Sequence, residues 1–296
     1  LDLLSGPALG ALAALGSAVT WTFISLLVRT LSATFDSIRL NALRATLGGL
    51  LLLLSVLALD RGAGLARLSA RTFALLVVSN VVAIVVGDTL FFESTRHVGL
   101  ARAMTVSMSY PLITAVFAVA LLGETITGRV ATGIGLTLGG LVLIVTARET
   151  APPESPHQAW KGLGLAALAA LAWAVAVIVL KPPLRELDAA TAQAIRLPMA
   201  GFILLASPWA RGAVARFRQA GRTAQLRVIW LAGLTAASSL MFVAGLKHAS
   251  AAVATALAST APLFAIPVGL LFLGERLQVR AVLGAILTVG GIALLT

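Results

Sequence analysis

Few residues in this chain could do chemistry. Asp88 stands in Val85-Val86-Gly87-Asp88-Thr89-Leu90-Phe91-Phe92, inside an apolar run. A carboxylate there could bind an ammonium group or carry a proton. The plainer alternative is a partly solvated position about 6 Å from the end of its helix, at about 1.5 Å per residue. Arg44 and Arg196 lie in other apolar runs, each three residues after an amide, Asn41 or Gln193, and so on its helical face. They could bind a carboxylate, or serve the scaffold or a gate. Thr105, Ser107 and Ser109 precede Pro111, and Thr255, Ser259 and Thr260 precede Pro262. Proline lacks an amide donor and clashes with the carbonyl one turn back, here that of Ser107 or Ala258, so a helix kink is expected at each. The hydroxyls could offer neutral hydrogen bonds to a ligand or bond their own backbone. Trp21, Trp173, Phe91, Phe92, Phe242, Met104, Met108 and Tyr110 could line an apolar cavity, with core packing or lipid contact as the alternative.

Enzyme chemistry finds little to work with. There is no HExxH, no GxSxG and no P-loop, and His97, His157 and His248 have no second ligand at metal spacing. The chain has no cysteine, which excludes disulfides and thiolate metal sites. The expectation is a protein that is not an enzyme and uses no cofactor or metal.

The elements that must position these residues are helices in a bilayer. Hydrophobic residues make up 59% of the 296 and charged ones 11%, against roughly 25% charged in soluble domains. The apolar runs have the length that crosses a hydrocarbon core about 30 Å thick. Backbone groups in lipid must be satisfied within each segment, so every run is helical. Ten spans are expected, at about 7–28, 37–59, 72–92, 99–122, 128–147, 160–180, 189–207, 228–246, 250–273 and 279–296. Asp60-Arg61-Gly62 ends the second, and Glu93-Ser94-Thr95-Arg96-His97 closes the third. The net charge of +11 would suggest nucleic acid in a soluble chain. Here it places Lys and Arg in loops near lipid headgroups, with no nucleic-acid partner.

The ten spans are five written twice. An offset of 151 residues carries Phe91 onto Phe242, His97 onto His248, Pro111 onto Pro262 and Gly123-Glu124 onto Gly274-Glu275. An offset of 152 carries Gly10 onto Gly162, Trp21 onto Trp173, Asp36 onto Asp188 and Arg44 onto Arg196. The expected domains are residues 7–147 and 160–296, with a proline-bearing linker over 148–159. An odd number of spans per repeat turns the second copy over in the membrane, and such inverted halves suit alternating access. Asp88 has only Ser239 at the matching position, so its carboxylate is not demanded by the repeat itself. Gly123-Glu124 reads as punctuation, Gly ending one helix and Glu starting the next. Gly135 and Gly139 form a GxxxG that permits close helix contact.

Inverted five-span repeats, each with a mid-helix Pro in the fourth span, a Gly-Glu at its end and a glycine-rich fifth span, resemble the EamA family of the drug/metabolite transporter superfamily. Within it the chain resembles the YddG-type bacterial amino-acid exporters. The resemblance implies an all-α integral membrane protein, a basket in which spans one to four and six to nine surround a cavity. Spans five and ten support it from behind. It further implies export of small amphipathic metabolites, amino acids first and aromatic ones among them. Hydrophobic cations, or a non-transporting role on the same fold, are the alternatives. The expected partners are a small-molecule substrate and the lipid bilayer, for a monomer in the bacterial inner membrane with both termini cytoplasmic. Loop charges oppose that orientation: seven Lys and Arg fall on the termini's side and thirteen on the other, five of these between 207 and 227.

Overall fold

The computed structural model describes residues 6–59, 68–147, 155–272 and 278–296. Asp60-Arg61-Gly62, most of the linker and Gly274-Glu275 lie outside the described residues. Among the described residues the secondary structure is all helical, and the ten membrane spans are arranged as two inverted repeats of five. Among the described residues, eight helices are long and apolar enough to cross a membrane: Gly6–Leu31, Ser37–Ala58, Ala70–Leu100, Arg102–Leu122, Gly128–Thr146, Pro156–Glu186, Ala189–Ala206 and Arg222–His248. The ninth span is two shorter helices, Ala251–Ala258 and Ala261–Phe272, and the tenth is Val279–Leu295.

The third span differs from its expected bounds. Glu93-Ser94-Thr95-Arg96-His97 does not close it; the helix runs on to Gly99, whose φ of 78° breaks it. Packing explains the extension, because Ser94 donates to the Gly162 carbonyl at 2.7 Å and Glu93 accepts from Ser37 at 3.0 Å. Asp88 therefore lies well inside its span, roughly 16 Å from the break at Gly99 at about 1.5 Å per residue. The same span is π-helical over Val81–Asp88.

Both fourth-position spans break just before their proline. The fourth stops at Ser107 and resumes at Tyr110; the ninth stops at Ala258 and resumes at Ala261. Pro111 and Pro262 thus sit in the first turn of a second half-helix, where a missing N–H leaves no bond unmade. Gly123, at φ 66°, ends the fourth span. Glu124 does not start the next helix as expected. Both its carboxylate oxygens accept from the Ala251 amide, at 2.9 and 3.0 Å, so it caps the ninth span in the other repeat.

Packing runs chiefly between repeats. The fifth span packs on the tenth, the second on the seventh, the first on the eighth and the third on the sixth. A two-fold operation exchanges the last two pairs and maps each of the others onto itself. Glycines let the backbones meet. A Cβ on Gly10 would come within 2.9 Å of the Ala249 amide, and one on its counterpart Gly162 within 2.9 Å of His97 Cβ. The GxxxG expectation needs correction, for nothing lies within 4 Å of a Cβ on Gly135 or Gly139. Gly133 and Gly140, with Thr137, face the tenth span instead.

Candidate functional site

Between the repeats lies a cavity of about 130 Å³, several times the roughly 10–15 Å³ that one water needs by the same kind of measure. Spans one, two, three, four, six, seven, eight and nine contribute side chains to it, and none comes from the fifth or tenth.

One wall is aromatic. Trp21 meets Trp173 edge-on at 6.1 Å between ring centroids, and Tyr110 meets Trp173 at 5.7 Å. Phe91 packs against both tryptophans from behind, at 6.2 and 5.4 Å. Such tilted and edge-on pairs are worth about 0.5–1.5 kcal/mol each beyond their burial. Trp173 reaches the third span because Gly87 has no side chain; a Cβ there would come within 2.7 Å of the indole. That contact brings Trp173 Nε1 to Asp88 Oδ1, to which it donates at 2.9 Å.

The other wall is charged. Arg44 Nη2 donates to Asp88 Oδ2 in an ion pair joining the second and third spans. Arg44 Nη1 donates to Thr235 at 3.3 Å, and the guanidinium lies 4.9 Å over the Phe92 ring. Arg44 is 1% exposed and Asp88 7%, so Asp88 is not the solvated helix-end residue that was one expectation for it. Its surroundings follow from the π-helical turn, where Asn41 donates to the Ile84 carbonyl at 2.7 Å and to Thr89 at 2.8 Å. A π segment shifts the backbone ladder and is a frequent mark of functional sites.

Arg196 occupies the repeat-equivalent place and has different partners. Its Nε donates to Ser79 at 3.2 Å and its Nη1 to Gln193 at 2.8 Å. Among the described residues it forms no ion pair. Ser17 and Ser238 meet at 3.5 Å beside it in the lining, together with Thr235 and Ser239.

Of the residues singled out in the sequence, Trp21, Arg44, Asp88, Met108, Tyr110, Trp173, Arg196 and Phe242 line one cavity. Phe91 and Phe92 form the layer behind it. Met104, Ser107, Thr255, Ser259, Pro111 and Pro262 do not line it. Thr255 and Ser259 donate to carbonyls of their own helix, at 2.8 Å to Ala251 and 2.8 Å to Ala256, so neither has its hydroxyl proton free for a ligand. Ser107 is buried, with no hydrogen-bond partner for its hydroxyl among the described residues. Sequence reasoning missed Ser17, Thr235 and Ser238 as lining. The signal was there: Thr235, Ser238, Ser239 and Phe242 recur at three-, four- and seven-residue intervals, one face of a helix.

A sequence model of the EamA-like transporter family matches the chain twice, over residues 8–146 and 160–296. No curated protein matches it. A protein of known crystal structure is similar in fold, with a TM-score of 0.76 and 19% identity, over 96% of this chain and 95% of that one. Identity that low speaks for the fold alone.

Proposed function

Since the chain belongs to the EamA-like transporter family, and so is a multi-pass membrane transporter of small solutes, we propose that it exports small amphipathic metabolites, amino acids above all and aromatic ones among them. The observation that carries this reading is the cavity between the repeats, which combines an aromatic wall with buried, hydrogen-bonded charge. An amino acid with an apolar side chain offers both kinds of surface. Resemblance to YddG-type exporters supports the same cargo. Each five-span repeat, 7–147 and 160–296, acts as one half of an alternating-access machine, joined by the linker at 148–159. The protein works as a monomer in a bacterial inner membrane, with both termini in the cytoplasm.

Hydrophobic cations are the second reading. They suit the aromatic wall, but the cavity's two arginines and single carboxylate oppose them. The test is exchange of labelled phenylalanine and tryptophan across sealed vesicles containing only the purified protein. Saturable exchange above protein-free vesicles is expected. Exchange of a labelled hydrophobic cation with none of either amino acid would overturn the proposal.

A further inference from the structure

Resting on that transport reading, we infer that the cavity selects its cargo by a carboxylate held between Arg196 and Trp21, and that an ammonium group on the cargo is not required. Three charged side chains line the cavity: Arg44, Asp88 and Arg196. Asp88 has both oxygens engaged, Oδ2 by Arg44 and Oδ1 by Trp173. Its charge is therefore already paired with Arg44, and an ammonium group would have to compete with that guanidinium for it. Among the described residues Arg196 is bonded to the neutral Ser79 and Gln193, through Nε and Nη1, and its Nη2 has no hydrogen-bond partner. With Asp88 ionised the lining carries one net positive charge, and protonating Asp88 would raise it. A cargo with one negative charge balances that lining in a medium of low dielectric, whereas a cation meets its own sign.

The internal symmetry says where the negative charge belongs. In the first repeat a carboxylate, Asp88, is gripped by Arg44 and by the indole N–H of Trp173. The repeat carries Arg44 onto Arg196, Trp21 onto Trp173 and Asp88 onto Ser239. Arg196, Trp21 and Ser239 all line the cavity. The second copy of the arrangement therefore keeps both donors and replaces the carboxylate by a short hydroxyl. Among the described residues Trp21 Nε1 is buried without a hydrogen-bond partner, although its counterpart on Trp173 is satisfied by Asp88. A buried indole N–H normally has an acceptor. The geometry assigns that acceptor to the cargo, whose carboxylate takes in the second repeat the place Asp88 takes in the first. The substrate class is then monocarboxylates with an aromatic or branched apolar body. Amino acids belong to it, and so do the corresponding 2-oxo acids and deaminated acids.

Three ligands separate the charges: phenylalanine, 3-phenylpropionate (carboxylate only) and 2-phenylethylamine (ammonium only). Each is titrated calorimetrically into the purified full-length protein and set in competition with labelled phenylalanine in vesicles. We expect 3-phenylpropionate to bind within about tenfold of phenylalanine, and 2-phenylethylamine to bind at least about tenfold more weakly than either, the scale of one charged hydrogen bond. Ser239→Asp supplies the missing carboxylate from within. It should melt at or above the wild-type temperature and lose 3-phenylpropionate binding by more than about tenfold. Trp21→Phe should weaken the two carboxylates and leave 2-phenylethylamine unchanged. Preferential binding of 2-phenylethylamine, or wild-type affinity for 3-phenylpropionate in a folded Ser239→Asp protein, overturns the inference. If 3-phenylpropionate binds as expected while no amino acid is carried, carboxylate selection stands and the amino-acid export reading falls. If phenylalanine is carried and 2-phenylethylamine is the better competitor, export stands and carboxylate selection falls.

Discussion

Replacing Asp88 by Asn measures what a buried guanidinium costs without its counter-charge. Arg44 is 1% exposed. Among the described residues its remaining polar and ring contacts are the Thr235 hydroxyl at 3.3 Å and the Phe92 ring at 4.9 Å, and its Nε has no hydrogen-bond partner. None of these carries negative charge. Asparagine keeps the size of the side chain and one acceptor, for Trp173, while its amide nitrogen faces the Arg44 guanidinium as a second donor, so the counter-charge and its hydrogen bond are lost together. Removing one partner of a buried pair costs about 3–5 kcal/mol. At roughly 2–3 °C per kcal/mol for a chain of this size, the melting temperature should fall by about 6–15 °C. Arg44→Met on top of Asp88→Asn removes the stranded charge, and should recover about 1–3 kcal/mol relative to Asp88→Asn alone. The assay is tryptophan-fluorescence melting in one detergent at one scan rate, since irreversible unfolding makes the midpoint rate-dependent. An Asp88→Asn protein melting within about 2 °C of wild type would refute the reasoning. So would a double variant that loses the sum of the two single losses.

Glycine substitutions in the fifth span should split sharply. A Cβ on Gly140 would come within 2.5 Å of the Gly284 carbonyl and 2.6 Å of the Thr288 amide, so Gly140→Ala should cost about 1–3 kcal/mol or more. Gly135→Ala, with open space around it, should melt unchanged or slightly higher, and an equal loss at both positions would restore the GxxxG reading. Pro262→Ala should lower exchange more than stability, because the proline removes no needed hydrogen bond but keeps the ninth span from running straight through its break. Pro111→Ala should behave alike, and full exchange in both variants would make the prolines incidental. At the start of the seventh span, Asp188 is exposed; its slight desolvation raises its carboxyl, but bonds from the Thr191 hydroxyl at 2.6 Å and amide at 3.0 Å hold it below the ordinary value. A depressed carboxyl stabilises above its unfolded pKa of about 3.9 and ceases to as pH falls through its folded value. Asp188→Ala should therefore cost about 1 kcal/mol at neutral pH, with the gap from wild type closing below about pH 4; a gap constant down to pH 2 would argue against the carboxylate.

The spans and the repeat were legible because lipid leaves the backbone few options and duplication writes each mark twice. Arg44, Trp173 and Asp88 each stood out as a polar or aromatic residue in an apolar run. Their union did not, because no spacing rule joins residues 44, 88 and 173 before the helices pack. In the sequence the charged residues after Phe92 read as an ending, and only the contacts of Glu93 and Ser94 with other spans show that the helix continues. Glu124 was assigned to the next helix in sequence, whereas its acceptor role is met across the molecule at Ala251. The hydroxyls before the prolines drew attention by number, yet Thr255 and Ser259 spend theirs on carbonyls one turn back. Meanwhile Ser17 of span one and Thr235, Ser238 and Ser239 of span eight line the cavity.

The cross-repeat packing bears on how the protein is made. Spans one, two, three and five find their main partners in spans eight, seven, six and ten. The first span is translated roughly 200 residues ahead of the eighth, a delay of ~10–40 s at about 5–20 residues per second. For that interval its glycine-lined face has only lipid to meet, as do the faces bearing Gly48, Gly49 and Gly140. A nascent first half is thus a set of inserted helices without a finished tertiary structure. Arg44 and Asp88 are both translated in this half and can neutralise each other while they wait; Arg196 arrives with the second half and has no such companion.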